Sequence, residues 1–360
     1  MKIESIELVN FRNYDKLIVS LDQGTNLFYG DNAQGKTNIL ESVYLCGTTK
    51  SHRGSKDKEM ILFGKEEAHI RMKILKNEIP YRIDMHLKKN KAKGIAINGV
   101  PIHKASELLG LGNFVFFSPE DLNIIKNGPS ERRRFLDMEL CQLNRIYLHN
   151  LMNYNRILMQ RNKLLKDISF HPEYEDTLEI WDVQMAEYGS KIIAARENFV
   201  KELNEIIVEI HKKLSGGREE LMVSYEKNVS QAQFLEAIKK DRDKDIRMKM
   251  THTGPHRDDL LFQIKNLDIR RFGSQGQQRT TALSLKLAEI ELVRRSSKDS
   301  PILLLDDVLS ELDGNRQHYL LESIHDVQTL ITCTGIEDFI ENDFRIDKLF
   351  YVSDGMVFEK

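Results

Sequence analysis

An α/β fold, with strands at both ends of the chain, a mainly helical domain inserted between them and no long coiled coil, is what this sequence predicts. Three observations carry the expectation. An apolar run, Leu27-Phe28-Tyr29, leads into a loop bounded by glycines and then into an apolar-striped helix. A second apolar run, Ile302–Leu305, ends in Asp306-Asp307. Between the two, apolar residues recur at helical rather than alternating spacing.

Taken in order, Ile3, Ile6 and Leu8 open the chain as a strand and Thr25 to Tyr29 forms another. Further strands are expected over His69–Lys76, Pro80–Lys88 and Gly94–Val100. In the second of these, Tyr81, Ile83, Met85 and Leu87 alternate with other residues, the period of a half-buried strand. Asn98-Gly99 is a tight-turn dipeptide with apolar residues on both sides. These segments read as antiparallel strands beside a parallel core. Helical spacing runs from Leu140 to Leu165 and again from about Leu178 to Leu214, where Ser215-Gly216-Gly217 supplies a stop. The stripes lack sustained heptads and belong to a core. Ile302–Leu305 and Leu330–Thr334 are short buried strands, and Tyr351–Val357 reads as a terminal hairpin. The expected division is a lobe of residues 1–112 and 299–360 and a mainly helical lobe of residues 113–298.

The 53 Lys and Arg residues nearly balance 55 Asp and Glu, so net charge argues neither for nor against a polyanionic partner. Three scattered cysteines, Cys46, Cys141 and Cys333, give no disulfide framework and no zinc spacing. The amino terminus lacks the apolar run of a signal peptide. No stretch approaches the roughly 18 to 20 apolar residues that cross a bilayer. A cytoplasmic protein without a membrane partner is expected.

Gly30-Asp31-Asn32-Ala33-Gln34-Gly35-Lys36-Thr37 has the glycine, lysine and hydroxyl spacing of a phosphate-binding loop, between the required strand and helix. Glycines let backbone N–H groups close on phosphates, the N-terminus of the following helix adds positive potential, and Asn38 completes the candidate cofactor-binding segment. Lys36 would reach the β- and γ-phosphates of ATP, and the Thr37 hydroxyl would hold Mg²⁺. The plain alternative is a glycine-rich turn before an ordinary helix. Asp306, at the exit of a buried strand, would bind Mg²⁺ through water, and Asp307 would polarise an attacking water. Ser274-Gln275-Gly276-Gln277 precedes a helix expected from Thr280 to Arg294, an anion-binding arrangement or simply a capped helix start.

Taken together these motifs resemble the RecF family of bacterial recombination mediators, relatives of ABC- and SMC-type ATPase heads. The resemblance spans nearly the whole chain. Asn10-Phe11-Arg12-Asn13-Tyr14 is similar to the opening of SMC-like heads. Pro119-Glu120-Asp121, Gly128-Pro129, Arg132-Arg133-Arg134-Phe135-Leu136-Asp137 and Thr253-Gly254-Pro255-His256-Arg257-Asp258-Asp259-Leu260 resemble blocks of the RecF pattern. Leu305-Asp306-Asp307, Ser310-Glu311-Leu312-Asp313 and Arg316 resemble its second signature. The resemblance implies an ATP-induced homodimer and slow, DNA-dependent ATP hydrolysis. One copy would supply Lys36, Thr37, Asp306 and Asp307. The other would supply Ser274, Gly276, Gln277 and the Asp313 loop. It further implies binding of duplex, gapped or junction DNA without sequence preference. RecR, with RecO, would be a partner in loading RecA.

Some positions depart from related patterns. Asn127 stands where the family usually has glycine. Ser118 falls near where ABC proteins carry a Q-loop glutamine, and Asp307 replaces a transporter's glutamate. No histidine follows Leu330–Thr334, where Thr332 or Thr334 would substitute for a transporter's switch residue. The last three are at home in the RecF pattern.

Two basic stretches are candidates for DNA phosphates: Lys50, Arg53 and Lys56 after the loop helix, and Lys88, Lys89 and Lys91 at a hairpin tip. Their plain alternative is a solvated face. Arg12 would approach nucleotide or DNA. Arg132, Arg133 and Arg134 would pair with carboxylates at the domain junction or bind phosphate. His256 and Arg257 would face the dimer interface or nucleotide, or make a structural turn set by Gly254-Pro255. An SMC-like chromosome-organising head is the structural rival, but it requires long heptad arrays and a hinge. A transporter subunit or a small-molecule kinase would leave the Ser274 and Ser310–Asp313 segments unexplained.

Overall fold

Local sequence periodicity is translated into two units in the computed structural model, which describes residues 1–297, 299–324, 326–336, 339 and 344–360. One unit is Met1–Asp121 with Leu285–Lys360; the other is Leu122–Ser284. The first segment carries β1 (Lys2–Phe11), β2 (Tyr14–Ser20), β3 (Thr25–Tyr29), α1 (Lys36–Thr48), β4 (Glu67–Lys76), β5 (Ile79–Lys88), β6 (Lys91–Ile97), β7 (Val100–Ile102) and β8 (Phe114–Phe117). The middle carries α2 (Leu122–Lys126), α3 (Pro129–Leu143), α4 (Arg145–Asp167), α5 (Leu178–Leu214), β9 (Leu221–Glu226), α6 (Phe234–Lys240), α7 (Arg242–Met248), β10 (Asp259–Ile264), β11 (Leu267–Asp268), α8 (Ile269–Phe272) and α9 (Gln275–Ser297). Then follow β12 (Ile302–Asp306), α10 (Gly314–Ile324), β13 (Thr329–Cys333), β14 (Lys348–Ser353) and β15 (Met356–Glu359).

The first unit holds two sheets. One is ordered β2-β1-β4-β5-β6-β7, with each neighbouring pair antiparallel. Its alternation buries Ala68, Ile70, Met72 and Ile74 from β4 and leaves the intervening residues in solvent or half-buried. The other is ordered β15-β14-β3-β13-β12-β8 and is parallel except for the β14–β15 hairpin. Its central strands β12 and β13 are buried at every position, which is why they read as apolar runs without alternation. α1 packs against this sheet, so the loop that starts it lies at the carboxyl ends of β3, β12 and β13.

Several boundaries differ from the sequence expectation. The units divide at 121/122 and 284/285 rather than at 112 and 298, because β8 pairs with β12 and the latter part of α9 belongs with the sheets. The helix expected from Leu140 to Leu165 is two helices. Asn144 is extended (φ −138°) and caps α4, its side chain accepting from the amides of Ile146 and Tyr147. The strand expected over Gly94–Val100 is a hairpin, since Asn98 (φ 53°) and Gly99 (φ 83°) both turn left-handed. α9 starts at Gln275, not Thr280. The second unit also contains an unexpected antiparallel sheet, β11-β10-β9. α5 follows its expected span, Leu178–Leu214, and at 37 residues is far short of an SMC arm. Among the described residues no helix is long and apolar enough to cross a membrane.

Candidate nucleotide site

The loop between β3 and α1 requires glycine at its two ends. Gly30 (φ 148°) and Gly35 (φ 110°) are left-handed, and Ala33 (φ 64°) joins them. A Cβ on Gly30 would lie 2.3 Å from the Val352 carbonyl oxygen, and one on Gly35 would lie 2.4 Å from Asn13 Nδ2. Alternating handedness of this kind turns successive N–H groups to one side, forming an anion-binding concavity at the start of α1. Asp31, Asn32 and Ala33 are exposed at its tip.

Two flanking segments brace the loop. Asn13 Nδ2 donates to the Gln34 carbonyl (3.0 Å), while Asn38 Nδ2 donates to Asn13 Oδ1 (2.8 Å). From the terminal hairpin, the Asp354 amide donates to Gln34 Oε1 (2.6 Å). Sequence reasoning singled out Asn13 only within the opening signature and did not give the hairpin this role.

Lys36 is buried, and its ammonium donates to the carbonyls of Gly30 (2.6 Å) and Asp31 (2.7 Å). Burial lowers its pKa below the ordinary lysine value, opposed by Asp307, Cys333, Asp306 and Asp31. Thr37 Oγ1 donates to Asp306 Oδ1 at 2.7 Å. The same carboxylate oxygen accepts from Thr332 Oγ1 at 2.7 Å, and Thr332 Oγ1 accepts the Asp307 amide at 3.1 Å. Thr332 faces Asp306 across the β12–β13 register. It therefore fixes the whole acidic pair; Thr334 is exposed. Asp307 is left-handed (φ 52°). Its pKa is raised, by burial first and then by the Asp306 charge, with Ser310 and Lys36 opposing. The donor set fits a hard cation: a hydroxyl oxygen and a carboxylate oxygen converge beside a phosphate cradle, the oxygen ligands that Mg²⁺ takes.

The other candidate residues are placed differently. Ser274 and Gln277 form a reciprocal cap on α9: Ser274 Oγ accepts the Gln277 amide (3.2 Å) and Gln277 Oε1 accepts the Ser274 amide (2.9 Å). Gln277 Nε2 also donates to Glu219 Oε1 (2.8 Å). Ser274, Gln275 and Gly276 are exposed, in the second unit. Asp313 is exposed too and caps α10, accepting the Arg316 amide (3.1 Å) and pairing with its guanidinium (2.6 Å). Ser118 ends β8 with its amide on Asp121 Oδ2 (2.8 Å).

Some expectations are corrected. Arg12 is committed inside its own unit. It grips Glu41, which is fully buried, through two bonds of 2.7 and 2.8 Å, and donates to Ser55 Oγ and the Glu59 carbonyl. It braces the 51–59 segment. Arg132 is buried in a bidentate pair with Asp259 (2.5 and 3.0 Å), and Arg133 donates to the Asp258 carbonyl; all four residues lie within the second unit. His256 lies between the Tyr154 hydroxyl (2.7 Å) and the Thr251 carbonyl (3.1 Å). Burial pushes its pKa down to about 4. Arg257 donates to the same Thr251 carbonyl.

The two basic stretches are one surface feature. Lys93 donates to the Thr49 carbonyl (2.6 Å) and Asp57 (2.8 Å), tying the β5–β6 hairpin to the segment after α1. Lys50, Arg53, Lys56 and Lys91 are exposed. Lys88 and Lys89 are half-buried and lie against Glu67 (3.9 Å) and Glu66 (2.7 Å), which offsets their charge.

Residues 2–357 match the family described as the RecF/RecN/SMC N terminal domain. The chain is 62% identical over 357 residues to the DNA replication and repair protein RecF of Agathobacter rectalis, covering 99% of each. A solved structure of the recombination mediator protein RecF-ATP in the RecFOR pathway matches with a TM-score of 0.93 and 36% identity, over 100% of this chain and 97% of that one. An SMC head bound to the C-winged helix domain of ScpA matches at a TM-score of 0.60 and 17% identity, a likeness of fold alone.

Proposed function

The chain belongs to the RecF family of DNA replication and repair proteins, ABC/SMC-like ATPases, and from that premise we propose that it clasps DNA as an ATP-induced homodimer and releases it by slow, DNA-dependent hydrolysis. The reading rests above all on the meeting of Lys36, Thr37, Asp306 and Asp307 around one phosphate cradle, with Thr37 Oγ1 and Asp306 Oδ1 2.7 Å apart. The Gly30–Asn38 backbone and Lys36 would bind the ATP phosphates. Thr37 and Asp306 would hold Mg²⁺, which when bound neutralises phosphate charge. Asp307, with its raised pKa, would accept hydrogen from the attacking water.

The second copy would contribute Ser274 and Gly276, exposed at the start of a 23-residue helix as suits a γ-phosphate, together with the half-buried Gln277. Its Asp313 loop would lie beside the same nucleotide. Closure of two such composite sites makes the dimer depend on ATP. Lys50, Arg53, Lys56 and Lys91, with smaller contributions from Lys88 and Lys89, would contact DNA phosphates, which carry no sequence code. Duplex beside a gap or a single-strand junction is the proposed substrate. Partnership with RecR and RecO in loading RecA is part of the proposal, supported by the RecFOR pathway named for the matched structures.

Solution mass by light scattering tests the core of this reading, with ATP–Mg²⁺, with ADP and without nucleotide. A dimer that forms only with ATP, and is lost in both Lys36→Met and Ser274→Arg, is expected, with duplex binding following the same pattern. A mass indifferent to ATP, or normal dimerisation of Ser274→Arg, overturns the composite site.

A further inference from the structure

The solvent face of the antiparallel sheet carries a cluster that the nucleotide chemistry does not use. His69 on β4 and His86 on β5 are directly opposed in the strand register. Glu67 is two residues from His69 and so emerges on the same face. The two imidazoles stack with ring centroids 3.9 Å apart. Both Nε2 atoms turn toward one carboxylate: His86 Nε2 is 2.9 Å from Glu67 Oε2, and His69 Nε2 is 3.8 Å from Glu67 Oε1. One donor atom from each of the three residues lies within 4.8 Å of the others, an arrangement found in no other such group among the described residues.

We propose that Glu67, His69 and His86 form a binding site for a divalent transition-metal ion of the zinc type, with one coordination position left to water. Two imidazole nitrogens and one carboxylate suit zinc, cobalt or nickel, whereas Mg²⁺ favours an all-oxygen shell. Bonds of about 2.0–2.1 Å in a tetrahedral shell place ligand atoms roughly 3.3 Å apart. The observed 2.9 and 3.8 Å, to the two oxygens of the Glu67 carboxylate, bracket that separation, and coordination requires the stacked imidazoles to turn so that both Nε2 atoms aim at one ion. Strand pairing fixes the backbone beneath them, which limits the entropy lost on binding. His69 and Glu67 are half-exposed (49% and 50%) and His86 is 29% exposed, so an ion enters without any opening of the fold. Both histidines also line an open hollow of about 450 Å³ on the same sheet.

Lys88, 3.9 Å from Glu67, is the cation that the metal displaces. Its release would raise the positive charge of the hairpin next to Lys89 and Lys91. That consequence rests on the DNA-contact reading above; the metal site does not.

The test uses the untagged full-length protein in excess Mg²⁺, titrated with Zn²⁺ by calorimetry and with Co²⁺ by visible absorption. Cys46, Cys141 and Cys333 are buried and do not compete. One ion per chain is expected, with the Co²⁺ spectrum of a mixed nitrogen–oxygen site. His69→Asn and His86→Asn should each weaken Zn²⁺ binding by more than the roughly 10- to 100-fold that loss of an outer-shell partner costs. Lys88→Ala should tighten it, a gain that misfolding does not produce. ATP-induced dimerisation, measured in parallel, should persist in both histidine variants. Absence of stoichiometric binding, or binding undiminished from the parent in both histidine variants, overturns the site and leaves an ordinary histidine–glutamate ion pair.

Discussion

Thr332→Val removes one hydroxyl and keeps the shape of the side chain. Thr332 is 1% exposed and Asp306 is 8% exposed, so neither group gains a compensating bond to bulk water. The substitution takes the 2.7 Å donor from Asp306 and leaves Thr37 as the remaining hydroxyl on it; the Asp307 amide loses the Thr332 hydroxyl but keeps the Thr332 carbonyl at 3.1 Å. A hydrogen bond to a charged group contributes about 1.5–3 kcal/mol. If that loss falls on the transition state, hydrolysis slows by roughly 10- to 160-fold, at about 1.36 kcal/mol per tenfold. Single-turnover ATP hydrolysis measures this directly. Equilibrium binding of a fluorescent ATP analogue should change only a few-fold, because the phosphate cradle and Lys36 are untouched. Urea denaturation places a stability loss under the same ceiling of about 3 kcal/mol. Thr334→Val is the control and should behave as the parent. A Thr332→Val protein that hydrolyses ATP at the parental rate, or a Thr334→Val protein that is equally slow, would refute the claim that Thr332 fixes the acidic pair.

Arg12→Ala should destabilise the fold by about 3–5 kcal/mol, the cost of stranding a buried carboxylate, as read by urea midpoint. Burial acts to raise the Glu41 pKa, but bonds from Arg12 and Ser51 outweigh it and hold the pKa below the usual value; Glu41→Gln should therefore recover part of the loss in the Arg12→Ala background. His256 makes stability fall under acid. Its folded pKa of about 4 lies below the unfolded value of 6.5, so the folded state resists protonation. The contribution is complete above pH 6.5 and is lost as pH drops toward 4, by up to roughly 3 kcal/mol; His256→Gln should flatten that limb of the stability–pH curve. For DNA, single alanine substitutions at Lys50, Arg53, Lys56 and Lys91 should each lower the salt slope of duplex binding by about 1, without altering sequence preference. Lys89→Ala, already offset by Glu66, should change it less.

The sequence by itself determined the chemistry that contiguous residues carry. A glycine-bounded loop between an apolar strand and a helix has few other uses, and Gly30 and Gly35 are the residues whose left-handed backbone admits no side chain there. Strand and helix class followed from burial period, as in β4, β5 and α5. Periodicity did not reveal the helix break at Asn144, because the apolar spacing of α3 and α4 continues across it and only the cap chemistry marks the boundary. β9 to β11 were equally hidden, although Leu260, Phe262 and Ile264 alternate in burial; the strand is six residues long, and its signal is brief. Contacts between distant residues were decided by tertiary structure alone. Thr332 meets Asp306 through strand register, Arg12 closes on Glu41 across the turn into α1, and Lys93 joins two basic stretches that the chain separates. Local torsion and one-sided burial leave a periodic trace in sequence. A hydrogen bond between two elements depends on register and packing angle, which no single segment encodes.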